Sequence, residues 1–462
     1  MDQKYMNLAL TLALKGEGYV NPNPLVGAVV VKNNKIIGKG YHKFFGGPHA
    51  EVYALDQAGE DAKDATIYVT LEPCSHQGKT PPCVKKIKEM GIKKCVIGTL
   101  DPNPLVSGNG KKILEDAGIE VVVGVLEKEA KNLNKVFFKY IQTKKPYLFL
   151  KCAITLDGKI ATNSKDSKWI TNELAREKVQ KLRNKYSGIM VGINTVINDN
   201  PRLTARVENG NDPFRIVIDP YLKTPLNSNF VNMDDGKSII VTSKNNIIDY
   251  KKIEVFDKIR DLTHPDTVEE INHIKKLEKN SKLCKLLVNF DEINQSEEFK
   301  KIKKLNTLEH LHGLNNDELS KLVDEEKYCR LQILRKIDLL EKKLGFDNLK
   351  NIYLKTEELK KKNIKFIYLD GYDFSVDEIL DEIGKLNIDS VLLEGGSFLI
   401  SKAFSENRID GGEIFIAPKI LGGGLPFIDG FNFKTVKEGF NLENVKYNIF
   451  QDNISVEFDQ NK

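Results

Sequence analysis

The sequence has no apolar run approaching the roughly 18 residues that a membrane-spanning helix needs. Its first residues, Met1 to Met6, offer no basic stretch leading into an apolar core. No secretory signal is read there, and the cytoplasm is the expected compartment. Cysteine is sparse: Cys74, Cys83, Cys95, Cys152, Cys284 and Cys329 are the whole set. Without an export signal these are expected to be reduced thiols rather than a disulfide framework. Tryptophan occurs once, at position 169, where core packing is the default expectation. Charge of one sign is also lacking. The formal excess is +5 over 462 residues, and lysines alternate with acidic residues, so no basic surface for nucleic acid is expected.

What remains is an ordinary globular composition, 40% hydrophobic and 29% charged, long enough for two or three cores. Residues 1–144 alternate short apolar runs with helical periodicity. Strands are predicted over 26–31, 35–41, 66–70, 95–99 and 120–125, and helices over 2–14, 49–58, 82–90 and 111–117. Thr143-Lys144-Lys145-Pro146 reads as a boundary. A second α/β series occupies 145–462, with strands over 147–153, 188–191, 214–219, 238–242, 364–369, 390–393, 412–417 and 454–458. Its texture breaks at 261–350. That stretch holds 18 acidic and 17 basic residues and one proline, and Leu322, Val323, Ile333, Leu334, Ile337, Leu340 and Leu344 share a helical face. It reads as a mostly helical insertion, and His310 and His312 within it read as surface residues rather than metal ligands.

The chemistry concentrates where cysteine and histidine meet. His49-Ala50-Glu51 opens a predicted helix, and Cys74 and Cys83 flank an eight-residue loop ending in Pro81-Pro82. One histidine and two cysteines give zinc three protein ligands and leave its fourth position to water, the pattern of a catalytic rather than a structural site. Cys83, at a helix N-terminus, has its thiolate favoured by the helix dipole. Zinc lowers the pKa of a bound water from about 15.7 to about 7. Glu51, two residues from a ligand, is then the proton carrier between water, ring nitrogen and leaving amine. In the loop, Lys79 reads either as a solvated residue or as an attractor for an anion such as phosphate.

Pro22-Asn23-Pro24-Leu25-Val26-Gly27, His49-Ala50-Glu51, Leu71-Glu72-Pro73-Cys74 through Pro81-Pro82-Cys83, and Asp101-Pro102-Asn103-Pro104 together resemble the bifunctional riboflavin biosynthesis deaminase/reductase family. The long cysteine-to-cysteine loop separates that family from cytidine and tRNA adenosine deaminases. The second half resembles it too, in Lys151 to Ala161, Ser167 to Thr171, Val191 to Val196, Asp199 to Arg206, Leu393 to Gly396 and Pro418 to Gly424. Ser187-Gly188 and Gln180 stand where the family pattern leads one to expect Asp-Ala and His.

The resemblance implies a cytidine-deaminase-like three-layer α/β/α domain, then a dihydrofolate-reductase-like α/β domain carrying the insertion. It implies Zn2+ and NADPH as cofactors and a phosphoribosylated diaminopyrimidine as substrate, deaminated first and then reduced at its ribosyl group. It also implies a homo-oligomer assembled through the reductase half. Asn23, His42, His76, Lys79, Asp101 and Asn103 become substrate contacts of the deaminase. Ser167, Arg183, Leu203, Arg206 and Glu394 become substrate contacts of the reductase. Ala153, Trp169, Thr171, Thr195, Asp199, Thr242, Gly396, Ser397, Phe398, Leu399, Ile400, Ser401 and Lys402 fall on the cofactor side. On the residues alone Arg183 and Arg206 read equally as a phosphate clamp or as ion-pair partners.

Two other readings stand beside this one. One is a zinc deaminase of a nucleoside or tRNA base with a C-terminal recognition module, which absence of NADPH binding would favour. The other is a metal-stabilised scaffold presenting the insertion to a protein partner.

Overall fold

The computed structural model describes residues 1–75, 81–103, 107–248 and 346–460. The predicted helical face within 261–345, His310, His312, Cys284 and Cys329 lie outside them. The chain forms two compact units, one of Met1–Lys244 with Leu359–Lys462 and one of Asn245–Glu358.

In the first 144 residues the order is α1 (Asp2–Ala13), β1 (Gly27–Lys32), β2 (Lys35–Tyr41), α2 (Ala50–Ala58), β3 (Thr66–Leu71), α3 (Cys83–Glu89), β4 (Lys94–Thr99), α4 (Asn109–Asp116), β5 (Glu120–Val123), α5 (Glu127–Leu133) and α6 (Lys135–Thr143). The strands form one sheet in the order β2-β1-β3-β4-β5. β1 pairs antiparallel with β2 and β3, whereas β3, β4 and β5 run parallel. Strand alternation sorts the side chains into two layers. Ala28, Val30, Ile67, Val69, Cys95 and Ile97 face α2, α3 and α4. Val29, Val31, Tyr68 and Val96 face α1. Helix α2 can lie directly on β2 because Gly38 and Gly40 carry no side chain there. A Cβ on Gly40 would fall 2.2 Å from the Ala50 carbonyl oxygen.

The second half runs β6 (Tyr147–Thr155), β7 (Lys159–Ala161), α7 (Glu173–Lys185), β8 (Gly188–Gly192), α8 (Ile193–Asp199), β9 (Phe214–Ile218), β10 (Ser238–Ser243), α9 (Phe346–Lys361), β11 (Lys365–Leu369), α10 (Val376–Gly384), β12 (Ser390–Leu393), α11 (Ser397–Ser405), β13 (Gly411–Ala417), β14 (Leu425–Pro426), β15 (Glu443–Phe450) and β16 (Asn453–Asp459). Nine strands make a sheet in the order β11-β10-β9-β8-β12-β6-β13-β16-β15, and β14 pairs with β7. On one face Leu148, Leu150, Cys152 and Ile154 pack against α10 and α11. On the other Tyr147 and Phe149 pack against Ala175, Val179 and Leu182 of α7. The chain leaves β8 outward to β11 and returns by β12 beside β8, so the crevice at the carboxyl ends of β8 and β12 is where an open α/β sheet takes a ligand.

Helices α5, α6 and strand β15 have no counterpart in the sequence reading. β15 escapes periodicity because most of its residues are exposed. Helix α6 makes the seam between the halves: Lys135 to Asp459 at 2.6 Å, Lys139 to Asp410, and the Tyr140 hydroxyl donating to the Gly384 carbonyl at 3.0 Å. Trp169 corrects the core-packing default. It is 63% exposed, with the Arg176 guanidinium 4.7 Å above its ring. Among the described residues no helix is long and apolar enough to cross a membrane.

Candidate active sites

His49 is the N-cap of α2, Cys83 opens α3, and Cys74 follows β3. These three elements converge at one end of the sheet. The ligand atoms of the three residues lie within 4.8 Å of one another, with His49 Nδ1 at 3.3 Å from Cys83 Sγ and 3.5 Å from Cys74 Sγ. The Cys83 backbone N–H donates to Cys74 Sγ at 3.3 Å. Hydrogen bonds from the Cys83 thiol and from His49 hold the Cys74 thiol down at about 4, and in return the Cys83 thiol is pushed well up. A sulfur already favouring the thiolate, a second beside it and a ring nitrogen between them fit zinc.

Glu51 is the second residue of α2, 3% exposed, and its Oε2 has no hydrogen-bond partner among the described residues. Burial raises its pKa to about 7, against the opposing pull of His49. A carboxyl poised near neutrality with an idle oxygen is what proton transfer requires. His42 lies beside His49, the two rings edge-on with centroids 5.4 Å apart. Its Nδ1 is 3.0 Å from the Pro48 carbonyl, which only accepts, so that nitrogen carries the hydrogen. Nε2 then accepts from the Asn23 amide at 3.1 Å, and burial lowers the pKa, keeping this ring neutral.

Glu72, quoted above only as part of a motif, proves to be the organiser of the next loop. It is 4% exposed and accepts from the backbone N–H groups of Asp101 at 3.2 Å, Gly108 at 3.0 Å and Lys111 at 3.1 Å. Asn103 donates its own N–H to Asp101 at 2.8 Å. The signal available in sequence was a carboxylate two residues before a ligand, which does not tell a ligand-side role from a loop-holding one. His76 and Lys79 lie outside the described residues.

In the second half Arg183 meets Glu394 as a fork, Nε to Oε1 at 2.8 Å and Nη2 to Oε2 at 2.7 Å. Burial alone would raise the Glu394 pKa, but Arg183 and Lys151 outweigh it and hold it at about 2. Lys151 thus belongs to the cluster, although the sequence reading gave it no role. Arg206 is exposed and makes no ion pair among the described residues. Asp199 is raised by burial against the opposing charge of Lys168 and a hydrogen bond from Ser167, which brings Ser167 and Asp199 together. Thr195 stands on the same short helix as Asp199, and Ala153 on β6.

At the β8/β12 crevice both following helices are capped by glycine, Gly192 and Gly396. Among the described residues, a Cβ at Gly396 would meet nothing within 4 Å, and the Ser397 hydroxyl is buried with no partner. Open space, free first-turn N–H groups and an idle hydroxyl fit the phosphates of NADPH. Phe398 is 76% exposed, Ser401 accepts from the Asp429 N–H at 2.8 Å, and Lys402 pairs with Asp373. Leu399 and Ile400 face the core, as does Leu203, and Thr171 and Thr242 are buried. Of the side chains expected at the cofactor and substrate, these five are therefore turned away from solvent in this conformation.

Residues 146–288 and 347–454 match the family described as the RibD C-terminal domain, and residues 1–99 match the cytidine and deoxycytidylate deaminase zinc-binding region. The chain belongs to the RibD family. The riboflavin biosynthesis protein RibD of Aquifex aeolicus is 54% identical over 247 residues, 53% of this chain and 69% of that one. Its Actinobacillus pleuropneumoniae counterpart is 52% identical over 256 residues, 55% of this chain and 67% of that one. Among solved structures, Acinetobacter baumannii RibD covers 100% of this chain and 99% of its own at TM-score 0.71 and 27% identity. A Thermotoga maritima deaminase/reductase covers the same shares at TM-score 0.68 and 33% identity. This RibD-family chain is a bifunctional riboflavin biosynthesis enzyme, a zinc deaminase joined to an NADPH-using reductase.

Proposed function

We propose that residues 1–144 deaminate 2,5-diamino-6-(5-phosphoribosylamino)pyrimidin-4(3H)-one. Residues 145–462 then reduce the ribosyl group of the product, giving 5-amino-6-(5-phosphoribitylamino)uracil. The Thermotoga relative is named a diaminohydroxyphosphoribosylaminopyrimidine deaminase and 5-amino-6-(5-phosphoribosylamino)uracil reductase. The observation that carries the reading is Glu51, buried, with its Oε2 unpartnered among the described residues and its pKa raised to about 7 by burial, beside the His49–Cys74–Cys83 group.

Bound by those three residues, zinc supplies Lewis acidity toward water. Glu51 takes one proton from the water and passes it to the ring nitrogen, then carries the second, from the hydroxyl added to the ring carbon, to the amine, which leaves as ammonia when its C–N bond breaks. Neutral His42 and Asn23 orient the pyrimidine, with Asp101 and Asn103 on the loop held by Glu72, and His76 and Lys79 beside them. In the reductase NADPH supplies the hydride. Gly396 and Ser397 hold its phosphates, with Ala153, Trp169, Thr195 and Asp199 along the nicotinamide side. Ser167 and Arg206 hold the sugar phosphate, while Arg183 and Glu394 face the substrate as a neutralised fork that fixes one polar edge of the pocket.

Cys74 and Cys83 need a reducing compartment to remain ligands, which supports the cytoplasm. At the sheet edge β15 exposes Tyr447 and Ile449 at 73% and 77%, which supports a homo-oligomer through the reductase half, checked by sedimentation of the full chain.

Mass spectrometry of products formed from the diaminopyrimidine, with and without NADPH, tests the function. The deaminated intermediate should accumulate without NADPH and the ribityl product appear with it. No deamination by zinc-replete protein would refute the first assignment. Deamination without NADPH consumption would refute the second.

A further inference from the structure

The turn between α1 and β1 touches both halves. On its deaminase side Asn23 donates to His42, and the Tyr19 carbonyl accepts from the Phe45 N–H at 3.0 Å, four residues before the ligand His49. On its reductase side Glu17 pairs with Lys185 at 2.8 Å, and the Gly18 carbonyl accepts from the Asn211 amide at 3.1 Å. Gly18 has φ +82°, and a Cβ there would fall 2.3 Å from the Asn184 amide nitrogen, so the turn lies flush against the end of α7.

Between these contacts Asn21 reaches Asp389, a residue 2% exposed just before β12. The Asn21 amide donates to both carboxylate oxygens, at 3.3 and 3.2 Å. The reductase half supplies the rest of the shell, the Ser187 hydroxyl at 2.5 Å and the Ser390 hydroxyl at 2.7 Å, while Tyr147 N–H donates to the Asp389 carbonyl at 2.8 Å. Asp389 is therefore held by its own half, and Asn21 is the visitor. Ser187 stands where the sequence pattern led us to expect an aspartate. A second carboxylate there would face Asp389, whereas a hydroxyl donates to it.

We propose that Asn21 is a positioning residue for deamination: anchored on Asp389 of the reductase half, it sets the turn that presents Asn23 to the substrate. The inference rests on Asn23 being a substrate contact. A buried carboxylate gives the turn one resting position, and two residues later that position becomes the location of the Asn23 amide. The reductase half thereby shapes the pyrimidine site of the other half without touching it.

The test uses the full-length zinc enzyme and measures KM and kcat of deamination and of reduction separately, zinc content and thermal midpoint. N21A is expected to raise the deamination KM about ten-fold with kcat, zinc content and reduction unchanged. N21D sets two carboxylates against each other and is expected to be worse than N21A. Adding D389N to N21D exchanges amide and carboxylate across the seam and should return KM toward the wild-type value, a rescue that general loosening would not produce. An unchanged deamination KM in N21A, or equal losses in both activities that follow the thermal midpoint, overturns the proposal. N23A separates the premise from the inference. If N23A raises KM and N21A does not, the positioning idea alone fails. If N23A leaves KM unchanged, Asn23 is no contact and both fail.

Discussion

Replacing Glu394 by glutamine keeps the shape of the Arg183 fork and removes its charge. The carboxyl moves from an ordinary 4.5 to about 2 on folding, with Arg183 and Lys151 outweighing the burial. A depression of this size corresponds to about 3.4 kcal/mol at neutral pH, at 1.36 kcal/mol per unit. Its side chain is 11% exposed and that of Arg183 14%, so solvent screening removes little of this. E394Q should therefore be less stable than the wild type by about 3 kcal/mol, in line with the cost of breaking a buried pair. The sign with pH follows from the depressed value. The contribution is whole above about 4.5 and is lost as pH falls toward about 2, so at pH 3.5 roughly 2 kcal/mol should remain. Urea unfolding of both proteins at pH 7, 5 and 3.5, followed by the fluorescence of Trp169 in the reductase half, reads the difference. Deamination should be unaffected in E394Q while reduction falls. A stability gap constant from pH 7 to 3.5, or no gap at pH 7, would refute the reasoning.

E51Q should lower deamination by about 10² to 10⁴ with zinc stoichiometry intact, since a buried amide cannot carry the proton, and NADPH oxidation on supplied intermediate should continue. Chelation should abolish deamination, leave reduction in place and expose Cys74 and Cys83 to thiol reagents, counted by mass spectrometry before and after zinc is restored. G396A should fold normally, since its Cβ meets nothing within 4 Å among the described residues, but weaken NADPH binding by entering the space assigned to the phosphates, and G396D, bringing a negative charge there, should weaken it further, by at least about ten-fold in titration calorimetry.

Much of the deaminase site was legible from residue order because it is local. His49, Glu51, Cys74 and Cys83 lie within 35 residues. Zinc chemistry restricts which residue types at such positions are useful. Strands buried on both faces, such as β1 and β4, announced themselves as apolar runs. β15, solvated over most of its length, did not, nor did the amphipathic helix α6 that makes the seam.

The sequence by itself pointed to the grouping of His49, Cys74 and Cys83 with Glu51 on the same helix, and to the two-part α/β plan, since each follows from residue type and short-range spacing. Tertiary structure decided the fate of charges far apart in the chain. Arg183 read equally as phosphate clamp or ion-pair partner until β12 returned beside β8 and brought Glu394, 211 residues away, to 2.7 Å. Asn21 was silent until the same return brought Asp389, 368 residues on, beneath it. Neither pairing has a period or a motif. A hydrogen bond requires atoms within about 3 Å, and only the path of the backbone through the sheet determines which distant residues reach that distance.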